Sequence, residues 1–128
     1  MISALNNVEA ITIFSNDVAA SRSFYISIFN ASVLFEDDVS VALRIGTIVI
    51  NVLARSEAPE LLNPAPVAKS GGGASVMLTI NVTDVDAVCV ALAEREVTLV
   101  NGPIDRPWGR RTAVFLDPSS VPWELAQE

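Results

Sequence analysis

The chain has 128 residues, of which 51% are hydrophobic and 18% are charged, and its formal net charge is −7. This composition suits one folded domain, or two small modules that share a core, and it excludes a disordered chain. With 8 basic residues against 15 acidic ones, the chain lacks the basic surface that nucleic acid binding requires. Its apolar stretches are too short to span a bilayer and no signal peptide is recognisable, so we expect a cytoplasmic protein with no membrane partner.

Histidine is absent from the chain, and Cys89 is its single cysteine, so an internal disulfide is impossible. Cys89 lies on the same helical stripe as Val85, Val88 and Leu92, which predicts a small buried hydrophobic side chain. A nucleophilic thiol would need a base and an electropositive setting. The sequence offers no histidine to act as that base.

One structural unit occurs twice in the chain. Residues 10–18 read Ala-Ile-Thr-Ile-Phe-Ser-Asn-Asp-Val, and residues 77–85 read Met-Leu-Thr-Ile-Asn-Val-Thr-Asp-Val. In each case an apolar strand ends in a polar pair and Asp-Val, and a helix follows. The two aspartates, Asp17 and Asp84, lie about half the chain apart. The repeat predicts two similar modules that pack together, with a cleft where they meet.

The first half begins with a predicted strand at residues 8–14, and either Asn16 or Asp17 caps the helix that follows it. That helix is predicted to end near Phe29, with Asn30 as its left-handed terminator. Three more strands are then predicted, at residues 32–36, 39–45 and 48–53.

A linker follows these strands. Pro59, Pro64, Pro66 and the glycine run 71–73 mark residues 57–74 as the segment that joins the two modules. The glycine run is not a phosphate loop, because no lysine followed by serine or threonine comes after it. The predicted modules are therefore residues 1–56 and residues 75–128.

The second half repeats the order of the first. A strand is predicted at residues 75–82, and Thr83 or Asp84 caps a helix that ends near Arg95. Further strands are predicted at residues 97–100, 111–116 and 121–126, with turns at 101–103 and 117–120. Each half therefore reads as a strand, a helix and three strands. This order predicts an α+β fold of two tandem βαβββ modules, which form curved mixed sheets around the cleft.

Two parts of the sequence carry a family resemblance. The passage 16–25, Asn-Asp-Val-Ala-Ala-Ser-Arg-Ser-Phe-Tyr, and the closing segments 108–111, 115–118 and 123–125 are similar to those of the vicinal oxygen chelate superfamily. That superfamily includes glyoxalase I, extradiol dioxygenases, and the fosfomycin and bleomycin resistance proteins. The chain departs from the pattern at Asn30 and Ser120, where the family usually has glycine.

The resemblance also implies where a metal would bind. Metal-dependent members of the superfamily use His, Glu or Gln side chains in the first and last strands of each module. These places fall on Ala10 and Met77 in the first strands, and on Asn51 and Glu124 in the last strands. Glu124 is a good ligand and Asn51 a poor one, whereas Ala10 and Met77 cannot bind a hard cation. The chain is thus closest in type to the small members that lack a metal, and neither a metal nor another cofactor is expected.

The cleft that the resemblance implies has several candidate residues. The ligand-binding candidates are Asn51, Met77, Trp108, Arg111 and Glu124, with Tyr25 and Arg44 as further residues to consider. Trp108 would offer a stacking surface, and Arg111 would pair with a ligand carboxylate. Glu124 would bind an amine or act as a catalytic base. Structural alternatives stand beside these roles, namely Trp108 and Tyr25 as packing residues and Glu124 as the partner of an arginine.

Three functions remain open on the sequence. The first is a metal-independent protein that binds an aromatic or cationic small molecule in the cleft between the modules. The alternative is a lyase, isomerase or dioxygenase of the same superfamily, with an atypical metal site that uses Glu124. The third is a non-catalytic module with a vestigial cleft. The resemblance also implies a homodimer, which exposed sheet edges would favour.

Overall fold

The computed structural model describes residues 1–128, and the chain divides into two compact units, Met1–Ala68 and Lys69–Glu128. The elements of the first unit are β1 (Ile11–Ser15), α1 (Val18–Phe29), β2 (Ser32–Glu36), β3 (Ser40–Ile45), β4 (Ile48–Ala54), a 3-10 turn (Arg55–Glu57) and α2 (Ala58–Leu62). The elements of the second unit are β5 (Leu78–Asn81), α3 (Val85–Glu94), β6 (Leu99–Asp105), β7 (Arg111–Leu116) and β8 (Pro122–Gln127). No helix is long and apolar enough to cross a bilayer.

The first unit is a four-stranded sheet with the strand order β1-β4-β3-β2. β1 is parallel to β4, and the other neighbours are antiparallel. α1 packs against β3 and β4, and alternation along the strands directs a buried set of side chains toward it. This core contains Ile13, Tyr25, Val41, Leu43, Ile50 and Val52. The Asp17 side chain caps α1 by accepting from the Ala20 N–H at 2.9 Å, and Asn30 adopts the expected left-handed conformation with φ of 54°.

The second unit repeats this arrangement with the strand order β5-β8-β7-β6. β5 is parallel to β8, and α3 packs against β6, β7 and β8. The Asp84 side chain caps α3 by accepting from the Ala87 N–H at 3.0 Å. Buried residues on the helix side of this sheet include Val85, Leu92, Ala113, Phe115, Trp123 and Leu125. The two units together confirm the predicted α+β fold of tandem βαβββ modules.

Cys89 is buried within α3, as its helical stripe predicts. Burial raises the pKa of the Cys89 thiol, because the charged thiolate loses solvation, and the nearby Asp86 carboxylate adds to this effect. The thiol is therefore a packing group rather than a nucleophile.

The predicted turn at residues 101–103 is wrong, because these residues lie inside β6. The pairing of β6 with β7 shifts between Leu99 and Asn101 and again between Asn101 and Ile104, so β6 is a bulged strand that continues through the Asn-Gly-Pro sequence. Gly102 has a φ of +90°, and a Cβ at this position would lie 2.5 Å from the Thr112 carbonyl oxygen. The glycine therefore serves the close approach of β6 to β7 rather than a chain reversal.

The predicted linker also contains structure that the sequence analysis missed. The 3-10 turn leads into α2, which has a proline in its first turn and buries Ala58 completely. Proline in the first turn is compatible with a helix, because the N–H it lacks has no partner there. The three prolines led to the prediction of an irregular linker, although the segment contains a short helix.

Candidate functional site

Glu124 lies near the centre of β8, on the face of the second sheet opposite α3. Its neighbours along the strand, Trp123 and Leu125, are buried on the helix side, so alternation places Glu124 on the other side. The strand register sets Glu124 beside Thr79 of β5 and Val114 of β7, and Val114 in turn pairs with Asn101 of β6. We call the four residues Thr79, Glu124, Val114 and Asn101 the Glu124 row.

The Glu124 carboxylate has a single neutral partner in its row. Its Oε1 accepts a hydrogen bond from the Thr79 hydroxyl at 3.0 Å. The ion pairs of the structure involve Arg22 and Arg111, and neither of them reaches Glu124. The structural alternative that pairs Glu124 with an arginine is therefore wrong. The half-buried carboxylate keeps its remaining lone pairs available for a ligand N–H donor.

The first unit carries an equivalent but neutral row. Asn51 of β4 lies between Thr12 of β1 and Ala42 of β3, and Ala42 pairs with Phe35 of β2. Asn51 Nδ2 donates to the Thr12 hydroxyl at 3.5 Å, so this row also has a threonine contact, in which the threonine accepts, whereas Thr79 donates to Glu124. The same position of the two sheets thus holds an uncharged amide in one unit and a carboxylate in the other.

The two first-strand positions that the resemblance implies, one of which, Met77, is a predicted site residue, lie outside these rows. Ala10 and Met77 precede β1 and β5, and Met77 is 49% exposed. The first-strand residues in register with Asn51 and Glu124 are Thr12 and Thr79, two positions further along the chain. A sequence signal for them exists, because each first strand has a threonine between an aliphatic residue and isoleucine. This pattern identifies a site residue only when the pairing of the first strand with the last strand is known. That pairing joins residues far apart in the sequence, so the local pattern does not reveal it.

The donor set of these rows does not fit the metal centre that the resemblance implies. The Glu124 row contains one carboxylate, one amide and one hydroxyl, and the Asn51 row contains one amide and one hydroxyl. The chain has no group of three His, Cys, Asp or Glu side chains that could hold an ion. Transition metals favour imidazole and thiolate ligands, and magnesium or calcium needs several converging oxygens. The Glu124 row therefore lacks the ligands that a metal ion of this type needs.

Arg111 lies on the side of the sheet that faces α3 and not on the Glu124 side. Its Nε and Nη2 donate to the two carboxylate oxygens of Asp86, each at 2.9 Å, and its Nη1 donates to Asp105 at 3.0 Å. These hydrogen bonds raise the pKa of the Arg111 guanidinium, and the same contact lowers the pKa of Asp86. With two carboxylates bound, Arg111 is a poor partner for a ligand carboxylate. The structure does not bring it together with Glu124.

The other candidates occupy distinct settings. Tyr25 is fully buried on α1, which confirms its interpretation as a core residue. Arg44 is exposed on β3, two positions along the strand from Ala42 and on the same face. Trp108 lies in the β6–β7 loop with 68% of its surface exposed, which contradicts the packing alternative. Its ring lies 6.0 Å from Arg106 Cζ.

Arg106 is a residue that the sequence analysis missed. Its Nε donates to the Thr112 hydroxyl at 2.8 Å, and its Nη2 donates to Asn101 Oδ1 at 3.3 Å. Thr112 follows the same alternation as Val114 and so lies on the Glu124 side of β7. The Arg106 guanidinium is therefore held on the face that carries the Glu124 row. Only the strand register reveals this, since Arg106, Arg110 and Arg111 look equivalent in sequence.

A small cavity of about 180 Å³ lies in the first unit, where β1 and β4 end, and is lined by Ser15, Asn16, Ala54, Arg55 and Ser56. Arg55 donates to Asn16 Oδ1 and to the carbonyl oxygens of Phe14 and Ala68. It thereby ties the end of this unit to β1. Pockets for small organic ligands usually enclose about 300 Å³ or more, so this cavity is smaller than a typical ligand pocket.

Comparison with known proteins gives a consistent result. A family model described as Glyoxalase/Bleomycin resistance protein/Dioxygenase superfamily matches residues 7–125. An uncharacterized protein of Mycobacterium bovis is 29% identical over 119 residues, which cover 88% of this chain and 77% of that protein. An uncharacterized protein of Mycobacterium tuberculosis strain H37Rv is also 29% identical, over 88% of this chain and 69% of its own length.

Solved structures show the same fold. A glyoxalase/bleomycin resistance protein/dioxygenase from Nocardioides superposes with a TM-score of 0.83 at 17% identity, covering 98% of this chain and 87% of that chain. A glyoxalase/bleomycin resistance protein/dioxygenase family enzyme from Burkholderia phytofirmans has a TM-score of 0.77 at 22% identity. The match covers 93% of this chain and 96% of that chain. A lactoylglutathione lyase from Agrobacterium tumefaciens has a TM-score of 0.75 at 15% identity, and the match covers 94% of this chain and 92% of that chain. At these sequence identities the similarity shows a shared fold and does not indicate a shared activity.

Proposed function

Because the chain belongs to the glyoxalase/bleomycin resistance protein/dioxygenase superfamily, we propose that it acts as one of the superfamily's metal-independent small-molecule-binding proteins. Its ligand is an aromatic or cationic compound, and the Glu124 row of the second unit binds the cationic group. Glu124 accepts hydrogen bonds from that group, Thr79 orients the carboxylate, and Val114 offers an apolar contact beside it.

The observation that supports this proposal most directly is the state of the Glu124 carboxylate. It is half-buried on a sheet face, it has one neutral hydrogen-bond donor, and it lacks a cationic partner. A partly desolvated carboxylate gains a strong, charge-assisted hydrogen bond when an amine or guanidine binds. The neutral Asn51 row of the first unit offers no such charge, so selection for cations resides in the second unit.

A titration with 4-methylbenzylamine tests this proposal. We expect the wild-type protein to bind this cationic aromatic probe in buffer that contains a chelator, as measured by calorimetry. Glu124→Gln, which keeps the size of the side chain and removes the charge, should weaken binding by roughly tenfold. Glu94→Gln, at the exposed end of α3, is the matched control and should bind like wild type. Equal affinity of wild type and Glu124→Gln would contradict the proposal.

The same preparation distinguishes binding from the enzymatic alternative. Mass spectrometry of the natively purified protein should find negligible transition metal, since one carboxylate and an amide hold such ions poorly. About one equivalent per chain, with turnover that a chelator abolishes, would favour a lyase, isomerase or dioxygenase that uses Glu124. It would also overturn the metal-independent proposal.

A further inference from the structure

Arg106 and Arg111 differ in what neutralises them. Arg111 forms ion pairs with Asp86 and Asp105. Arg106 takes part in no ion pair of the structure, and the oxygens to which its side chain donates, those of Thr112 and Asn101, are neutral. A guanidinium fixed by neutral acceptors keeps its full positive charge and its remaining N–H donors. Such a group is ready to bind an anion.

The β6–β7 loop holds Arg106 in place. The Arg106 N–H donates to the Arg110 carbonyl oxygen at 2.7 Å, and the Gly109 N–H donates to the Arg106 carbonyl oxygen at 3.0 Å. Thr112, which accepts from Arg106, is itself buried. These contacts fix both the backbone and the side chain of Arg106, so little rotamer freedom remains to be lost when a ligand binds.

Trp108 adds a planar surface beside this charge. Its ring is largely exposed and lies next to the Arg106 guanidinium. An exposed aromatic ring next to an unpaired cation suits a ligand that combines a planar apolar part with an anionic group. A carboxylate matches the fork of a guanidinium well, because two N–H groups can donate to its two oxygens.

The strand register places this cation on the same face as Glu124. Arg106 contacts Asn101, which ends the Glu124 row on β6, and Glu124 lies two strands away on β8. Neighbouring strands are about 4.8 Å apart, so the Cα atoms of Asn101 and Glu124 are roughly 10 Å apart. The Arg106 guanidinium is held against Thr112 and Asn101, so it and the Glu124 carboxylate lie on the same face of the sheet. Charged groups on one face, with strand positions about this far apart, suit a ligand with one aromatic ring between its own charged groups.

We propose that Arg106, with Trp108 beside it, binds the carboxylate of the same ligand whose cationic group Glu124 binds. The ligand class is then an aromatic compound with an ammonium or guanidinium group at one end and a carboxylate at the other. This inference rests on the proposed function, because it assumes that Glu124 holds the cationic group. The ligand carboxylate is thereby assigned to Arg106, whereas the sequence had suggested Arg111.

Three matched probes test the inference in the wild-type protein. They are 4-(aminomethyl)benzoate, which has both charges, 4-methylbenzylamine, which has only the cation, and 4-methylbenzoate, which has only the anion. We expect the first probe to bind roughly tenfold more tightly than either of the others. If it binds no more tightly than 4-methylbenzylamine, the inference is overturned and the proposed function stands. If only 4-methylbenzoate binds and its binding needs Arg106, the proposed function fails while the anion site remains.

Variants of Arg106 provide the second arm of the test. Arg106→Gln should lower the affinity for 4-(aminomethyl)benzoate to that for 4-methylbenzylamine and should leave the latter unchanged. Arg106→Lys keeps the charge without the fork and should give an intermediate affinity. Arg95→Gln, on the helix side of the same unit, is the control and should have no effect. If Arg106→Gln binds the doubly charged probe like wild type, the assignment of Arg106 is wrong.

Discussion

At the scale of single residues, charge pairing decides which side chains are available to a ligand. Arg111 and Arg106 lie five positions apart in the same part of the second unit. Arg111 is bound by two carboxylates and Arg106 by none. Sequence composition cannot distinguish them, because their partners come from α3 and from the paired strands. The same holds for Glu124, whose neutral contact with Thr79 depends on the parallel pairing of β5 with β8.

The Asp86–Arg111 pair leads to a prediction about acid stability. Hydrogen bonds from Arg111 lower the pKa of Asp86 below its ordinary value of 3.8, so the unfolded chain binds a proton at this site more readily than the folded chain. The stabilising effect of Asp86 is therefore present above pH 3.8 and is lost as the pH falls through the lower folded-state pKa. We expect Asp86→Asn to flatten the acid side of a profile of unfolding free energy against pH.

Chemical denaturation of both proteins between pH 2 and pH 7 measures this effect. Asp38→Asn is a suitable control, because Asp38 is exposed and belongs to no ion pair of the structure. Its profile should run parallel to that of wild type. Parallel profiles for Asp86→Asn and wild type would show that the pair adds no pH-dependent stability.

At the scale of elements, local signals predict more than long-range pairing does. Nearby residues limit the cap of each long helix to two adjacent polar residues, and the structure has the aspartate in both α1 and α3. The strands Ser32–Glu36 and Arg111–Leu116 also follow from nearby residues and are confirmed at the predicted positions. The bulged strand β6 is different, because Asn101-Gly102-Pro103 has the local signature of a turn. Pairing with β7 overrides that signature. The register of Thr12 and Thr79 is likewise set by a partner strand, which explains the misplacement of Ala10 and Met77.

The packing of β6 against β7 predicts a high cost for a methyl group at Gly102. A Cβ there would lie 2.5 Å from the Thr112 carbonyl oxygen and 2.6 Å from Ala113 Cα, and the backbone φ of +90° is itself unfavourable for alanine. We expect Gly102→Ala to lower the free energy of unfolding by about 3 kcal/mol or more. Urea denaturation, monitored by circular dichroism, measures the change.

Gly73 offers a matched control for this substitution. It has the same φ of +90°, but nothing lies within 4 Å of a Cβ at that position. Gly73→Ala should therefore cost only the backbone term, about 1 kcal/mol. If the two substitutions cost the same, the close approach of β6 to β7 contributes nothing to the requirement for glycine.

At the scale of the whole molecule, the two units share the same topology but differ in the charge of the equivalent sheet face. The Asn51 and Glu124 rows occupy the same place in each sheet and share a threonine contact, but only the second has a charge. Membership of the superfamily follows from most of the chain, residues 7–125. The ligand, in contrast, depends on a few side chains, which is why the fold was predicted from the sequence more fully than the site was.

The edge strand β2 leads to a prediction about assembly. All five of its residues are exposed, and three of them, Val33, Leu34 and Phe35, are apolar. An exposed apolar edge favours pairing with another strand, so we propose a homodimer in which a second copy covers β2. Light scattering after size-exclusion chromatography should give twice the chain mass of 13.6 kDa.

A charge on this edge should disrupt the dimer. Phe35→Lys is expected to shift the mass toward that of one chain, whereas Leu61→Lys, at an exposed apolar position on α2, should leave it unchanged. A monomeric wild-type protein at micromolar concentration would rule out the homodimer.

The most direct test of a metal-independent ligand site at Glu124 is an NMR titration of the ¹⁵N-labelled protein with 4-methylbenzylamine in the presence of a chelator. We expect saturable shifts of the backbone amides, centred on Thr79, Val114 and Glu124, which lie on three adjacent strands. Shifts confined to the opposite side of the sheet around Asp86, or the loss of all shifts when the chelator is added, would contradict this expectation.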